Sequence, residues 1–369
     1  MIHCCLSARA AGAAIFLALV CWPLSPSPAW AHATERGFVL LLPTGHYIAG
    51  GTLAVALSFI MLAFVSAAFM SRVARARIRL FPMPILPATA LSALSFVVLL
   101  LLLVAGLAGS RDPLANPLPL SVWSLWWVGL TIAHALIGNL WASLNPWIAP
   151  YRLLRRFLPP PLIYPAWFGY WPAVLAFLGF AWFELIYPAP DDPARLALAV
   201  AGYSLVTFIG MVLFGERDWL ARGECFSVFF GFVARLSPFG VDGRQRRLTM
   251  TFPGVSLAVA GALPLSGVLF VLLTLATVSF DGLSETFWWL DLGGINPLEF
   301  PGRSAVVGRN TGGLLAAWAT LTLAYGLAIA LGRWLGNSRA DLGVELGTFV
   351  LSILPISLAY HVAHYLTAL

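Results

Sequence analysis

The sequence predicts an all-α fold: a polytopic transmembrane helical bundle of about eight spans behind a cleaved signal peptide. Three observations carry this reading. Of 369 residues, 60% are hydrophobic and 10% charged, and the mean hydropathy is +0.88, which does not suit a water-soluble domain. The apolar residues fall in runs long enough to cross a hydrocarbon core of about 30 Å. The 21 basic residues are all arginine and sit mostly in short loops between those runs. The net charge of +6 is therefore a mark of membrane orientation and not a nucleic-acid footprint; the partner it implies is a lipid bilayer.

Residues 1–31 read as a secretory signal. Arg9 precedes an apolar run from Ala11 to Trp22, followed by a proline-serine stretch and the small-residue site Ala29-Trp30-Ala31. Cys4, Cys5 and Cys21 leave with it, so Cys225 remains alone and disulfides play no part. Two cleavage points compete. A cut after Ala31 makes His32 the new N-terminus, whose amine and ring nitrogen suit copper; a cut after Ala33 removes it.

Residues 32–369 form a single membrane domain. Spans are expected at about 46–70, 88–109, 119–144, 166–187, 194–214, 260–280, 311–332 and 343–366. With the first running outside to inside, fifteen arginines fall on the cytoplasmic side and five outside, counting the mature chain. Eight spans in this orientation put both mature ends outside an inner (plasma) membrane. Residues 225–240 are apolar but short and flanked by arginines, which predicts an interfacial or re-entrant helix on the inner face. Trp123, Trp126, Trp127, Trp141, Trp147, Trp288 and Trp289 are expected in interfacial belts. The one substantial outer loop is 281–310.

Candidate chemistry collects at the outer end. His361 and His364 lie three apart on the last span, the spacing that puts both on one helix face. Asp281 ends the sixth span and Glu184 lies within a turn of the outer end of the fourth. His361, His364 and Asp281 are the candidate metal ligands, for a divalent ion such as zinc, manganese or cobalt. Such an ion activates water and polarises an ester or phosphoryl oxygen. Glu285 and Glu184 are the candidate bases or ligand-orienting groups. Bland readings stand beside these: histidines that reach the headgroup region, an Asp281-Gly282 helix stop, and a Glu184 that reaches the interface. His134 reads as a buried, hydrogen-bonded packing residue. Residues 215–224 read as a salt-bridged loop, and Asn145-Pro146-Trp147 as a helix stop. Nucleophile elbow, Walker loop, CxxC and dinucleotide fingerprint are all missing from the sequence.

Several strings together resemble a known family: Val122-Trp123-Ser124-Leu125-Trp126-Trp127-Val128-Gly129 leading to Asn145-Pro146-Trp147, Trp171-Pro172-Ala173 through Trp182-Phe183-Glu184, Gly223-Glu224-Cys225-Phe226-Ser227, Ser279-Phe280-Asp281-Gly282, and Tyr360-His361-Val362-Ala363-His364-Tyr365. The likeness runs in order from about His32 onward. It is to bacterial multi-span proteins that include membrane-bound fenitrothion hydrolase, an organophosphorus hydrolase. The resemblance implies an enzyme subunit acting on lipophilic aryl (thio)phosphate triesters, and a second, related membrane subunit as partner. It assigns no catalytic residue; those named above come from the topology. The competing expectation is a metal-handling or transport protein using His32, His46, His361 and His364 as an outer relay. A third is a structural subunit without chemistry of its own.

Overall fold

The computed structural model describes residues 44–82, 88–242, 247–294, 296 and 302–365. The signal segment, its cleavage sites and His32 lie outside them, as do residues 297–301 of the outer loop. Helices dominate. Helix α1 covers Thr44–Phe64. Among the described residues seven helices, α1 not among them, are long and apolar enough to cross a membrane, against the eight expected: α2 Ala88–Ala108, α3 Pro117–Ile137, α4 Ala166–Leu185, α5 Pro193–Phe214, then, after a short α6 Cys225–Val233, α7 Leu265–Ser284, α8 Val307–Gly336 and α9 Leu342–Tyr365.

Local chemistry sets the boundaries. The expected 46–70 run is broken near Val65, because the Ser66 side chain accepts a hydrogen bond from Phe69 N and starts a separate helix, Ala67–Arg75. The expected third span stops at Ile137, seven residues early. Gly138 there takes φ 118, a backbone region open to glycine, and a short helix Trp141–Leu144 follows. Asn145 ends that helix and accepts from Trp147 N, as a stop residue should. Asp192 caps α5 and Asp341 caps α9.

Helix α7 is the axis. Of its apolar window 78% is buried, against 6–28% for the other seven-span members. It packs on α4, α8 and α9, so its buried side chains are shielded by protein while its neighbours turn an apolar face outward. That outward face is what lipid would cover.

Helix α6 is shorter than a span needs. Nine residues rise about 14 Å, half a hydrocarbon core. Glu224 caps it, accepting from Phe226 N and Ser227 N and from the Tyr203 hydroxyl. The strand that follows α6, β2 (Phe239–Asp242), pairs with β3 (Arg247–Thr251), which pairs with β1 (Arg77–Pro82) just before α2. The chain therefore leaves α6 at the end of the bundle where α2 begins. Arg152 reaches both Glu216, shortly before α6, and Thr89 at the start of α2, so it also enters there.

The tryptophan belt is the main departure. Trp127, Trp141 and Trp147 are buried in the main core instead of lying at a surface. Trp127 meets Phe177, Phe226 and Phe229, Trp141 meets Phe230, and Trp147 meets Trp141 and Tyr203, all edge-on or tilted, arrangements that suit the ring quadrupoles. The run Leu120–Gly129 is π-helical; its wider turn brings both Trp126 and Trp127 onto α6. His134 is fully buried, stacked on Phe230 at 4.4 Å, with Nδ1 at 2.6 Å from Leu130 O and Nε2 accepting from Trp141 N. It is the packing residue the sequence suggests.

Candidate functional site

At the end of the bundle opposite the sheet, four spans bring polar groups to one place. Helix α7 supplies Asp281 from its last turn, α4 supplies Glu184 from its own, and α9 supplies His361, His364 and Tyr365. The π-helical part of α3 supplies Trp127. Asp281, Glu184 and His361 are all buried, unlike simple helix stops or headgroup-reaching residues.

The centre is Asp281. Its Oδ2 lies 2.8 Å from His364 Nε2 and accepts a hydrogen bond of 2.8 Å from the Tyr365 hydroxyl. Glu184 is near enough to feel Asp281, Tyr365 and Arg303. Its Oε2 is buried without a hydrogen-bond partner among the described residues. Arg303 donates to the backbone oxygen of Glu184 at 2.8 Å, fastening the loop before α8 to the end of α4. The His364 side chain remains 34% exposed. The cluster thus has a dry acidic side and one imidazole within reach of an entering molecule.

His361 takes a different direction. Its ring stands edge-on to Trp127 at 4.8 Å and lies 4.8 Å from Tyr365. Its Nε2 is buried and unpartnered, and so is Trp127 Nε1. A cavity of about 20 Å³ lined by His361, Tyr365, Thr131 and Ser357 lies beside it, room for a single water. Three-residue spacing brings the two imidazoles to one helix end, but the helix turns them to different neighbours.

Four of the five predicted residues therefore lie at this end, His361, His364, Asp281 and Glu184, and of these Asp281 and His364 are in direct contact. Glu285 does not join them; it ends α7, exposed, and acts on His364 through space only. Trp127, Tyr365 and Arg303 belong to the site without having been singled out. Tyr365 stood inside the histidine motif, but its partner is 84 positions away, a pairing no local pattern announces. Of the two neighbouring indoles expected at an interface, Trp288 is exposed, while Trp289 packs on Phe280 and donates to Asn310 Oδ1.

The donor chemistry suits a borderline divalent ion in kind, with nitrogen from imidazole and oxygen from carboxylate. The two buried unpartnered atoms, His361 Nε2 and Glu184 Oε2, are what a missing ligand would leave. Among the described residues, however, no three His, Cys, Asp or Glu side chains converge on one point. Asp281 and His364 form a ready half-site, and His361 and Glu184 are the next donors available.

Compared with known protein families, curated proteins and solved structures, the chain finds no match.

Proposed function

We propose that this chain is a subunit of a membrane-bound, metal-assisted hydrolase of lipophilic aryl (thio)phosphate triesters, working at the Asp281–His364 cluster. One observation carries the reading: an imidazole held at 2.8 Å by a buried carboxylate, beside a second buried carboxylate with an unpartnered oxygen. The substrate class comes from the family resemblance, as does the expected second subunit.

The residues divide the work physically. Asp281 fixes the His364 ring through their 2.8 Å contact, and the unpartnered Oε2 of Glu184 is the base that takes the proton from the attacking water. Tyr365 holds Asp281 in place through the same oxygen. Hydroxide so formed attacks phosphorus, the P–O(aryl) bond breaks, and the nitrophenolate departs with the electron pair. Exposed Trp288 and Phe287 offer an apolar approach for a substrate arriving from lipid. When bound, a divalent ion would lower the pKa of a water and polarise the phosphoryl oxygen. His364 and Asp281 would hold it, with His361 as the third donor, which leaves Glu184 free as the base.

The test uses the native host, so that any partner is present. Membranes of parent and deletion strains are given fenitrothion, with and without a strong chelator, and nitrophenol release is followed. Loss on deletion and on chelation is expected. Unchanged release in the deletion strain would overturn the assignment in favour of the metal-handling or transport reading.

A further inference from the structure

The largest surprise lies at the other end of the bundle. Beneath α6 is a partly open cavity of about 500 Å³, within the usual range for small-molecule sites. Its walls come from α6, the loop after α3, and the turn that follows α5. Gly215, with φ 83, makes that turn. The π-helical stretch Trp219–Gly223 completes it; such stretches often accompany functional sites.

The polar lining is almost entirely donor. Arg217 and Arg235 both face the cavity. Among the described residues neither has a carboxylate partner; Arg235 lies over the Phe232 ring at 5.2 Å. Asn139 uses its Oδ1 to cap Ala142 N, leaving its amide donors for the cavity. Asn145 is likewise oriented by Trp147 N on Oδ1, with Nδ2 directed to Ser227 Oγ at 3.3 Å. The one carboxylate in the lining, Glu216, is already engaged. Arg152 donates to both of its oxygens, at 2.9 and 2.6 Å, and this partner raises the Arg152 pKa above its ordinary value. Exposed Arg217 and half-buried Arg235 thus offer one cavity two guanidinium groups without carboxylate partners among the described residues, with amide donors around them, and forked guanidinium donors match a phosphate oxygen pair. The remaining wall is apolar: Trp141, Ile148, Val228 and Phe232.

We infer that this cavity is a binding site for a phosphate-bearing amphiphile, with the phosphate between Arg217 and Arg235 and the apolar part against Trp141 and Phe232. The phosphate can belong to an anionic phospholipid headgroup or to a soluble phosphate ester. The site is independent of the hydrolytic assignment at the opposite end, shares no residue with it, and stands or falls separately.

Native mass spectrometry of the full chain, purified in detergent from its host with whatever accompanies it, tests this. The probes are dioleoyl phosphatidylglycerol, dioleoyl phosphatidylcholine and glycerol 3-phosphate. Retention of phosphatidylglycerol over phosphatidylcholine by about tenfold is expected, falling to parity in the Arg217→Gln/Arg235→Gln variant. If glycerol 3-phosphate binds and displaces the lipid, the soluble source is the occupant; if the lipid stays, the headgroup is. Gly231→Leu serves as a second variant. Its Cβ meets nothing nearer than Asn139 Nδ2 at 3.9 Å, so the backbone accepts it while the side chain fills the cavity and blocks either ligand. Equal retention of both lipids with no glycerol phosphate bound, or binding unchanged in both variants, would overturn the proposal.

Discussion

The two ends of this bundle handle charge in opposite ways. At one end the carboxylates Asp281 and Glu184 are buried, with an imidazole and a phenol as their nearest partners and Arg303 committed to backbone oxygens. At the other, Arg152 neutralises Glu216, Arg222 meets Asp218 at 2.7 Å, and Arg217 and Arg235 are left over. The contrast teaches that one end is arranged around acids and proton carriers, the other around donors for an anion. It also separates the two proposals, since a change at one end leaves the other's chemistry untouched.

The largest way to break the comparison is His361→Ala/His364→Ala. Nitrophenol release should fall by about 10³-fold or more and bound metal, read by elemental analysis, should be lost; phosphatidylglycerol retention should not change. Next is Phe230→Ala. The ring is fully buried against His134, Trp126 and Trp141 between the two ends, and its removal should cost about 3–5 kcal/mol in a denaturation titration. Arg152→Ala sharpens the contrast. It frees Glu216 to pair with Arg217, so phosphatidylglycerol retention should drop about tenfold while hydrolysis persists. The smallest effect is expected of Arg111→Ala, which removes an exposed pair with Asp192; stability should change by less than about 1 kcal/mol.

Much of the fold was legible because bilayer-length apolar runs are a strong local signal. The seven long helices α2–α5 and α7–α9 follow the expected runs, with boundaries displaced where one side chain decides them, as at Ser66 and Gly138. The sheet was not legible. It joins β1 to β3 across more than 160 positions, and exposed Arg77-Ile78-Arg79 carries no burial pattern to announce a strand. The tryptophans misled for a related reason: an indole near a predicted span end suits either an interface or a crowded core, and only the π-helical turn at Leu120–Gly129 and the depth of α6 decide.

The candidate site was legible as a set of helix ends. Asp281, Glu184, His361 and His364 lie at the same end of three different spans, so alternating topology alone gathers them. What the pattern could not show is the rotation of each side chain. That rotation pairs His364 with Asp281, turns His361 toward Trp127, and leaves Glu285 outside. The arginine-lined cavity escaped because the 215–224 loop reads as salt-bridged, and it is so only in part: among the described residues Glu216 and Asp218 find arginine partners and Arg217 finds no carboxylate.

The most direct test of the central claim is nitrophenol release from host membranes in which the deleted chain is replaced by Asp281→Asn at matched abundance. Asparagine keeps the size and the Tyr365 contact but removes the charge that orients His364. Release should fall at least about 100-fold. Wild-type release from that variant would contradict a reacting site at Asp281.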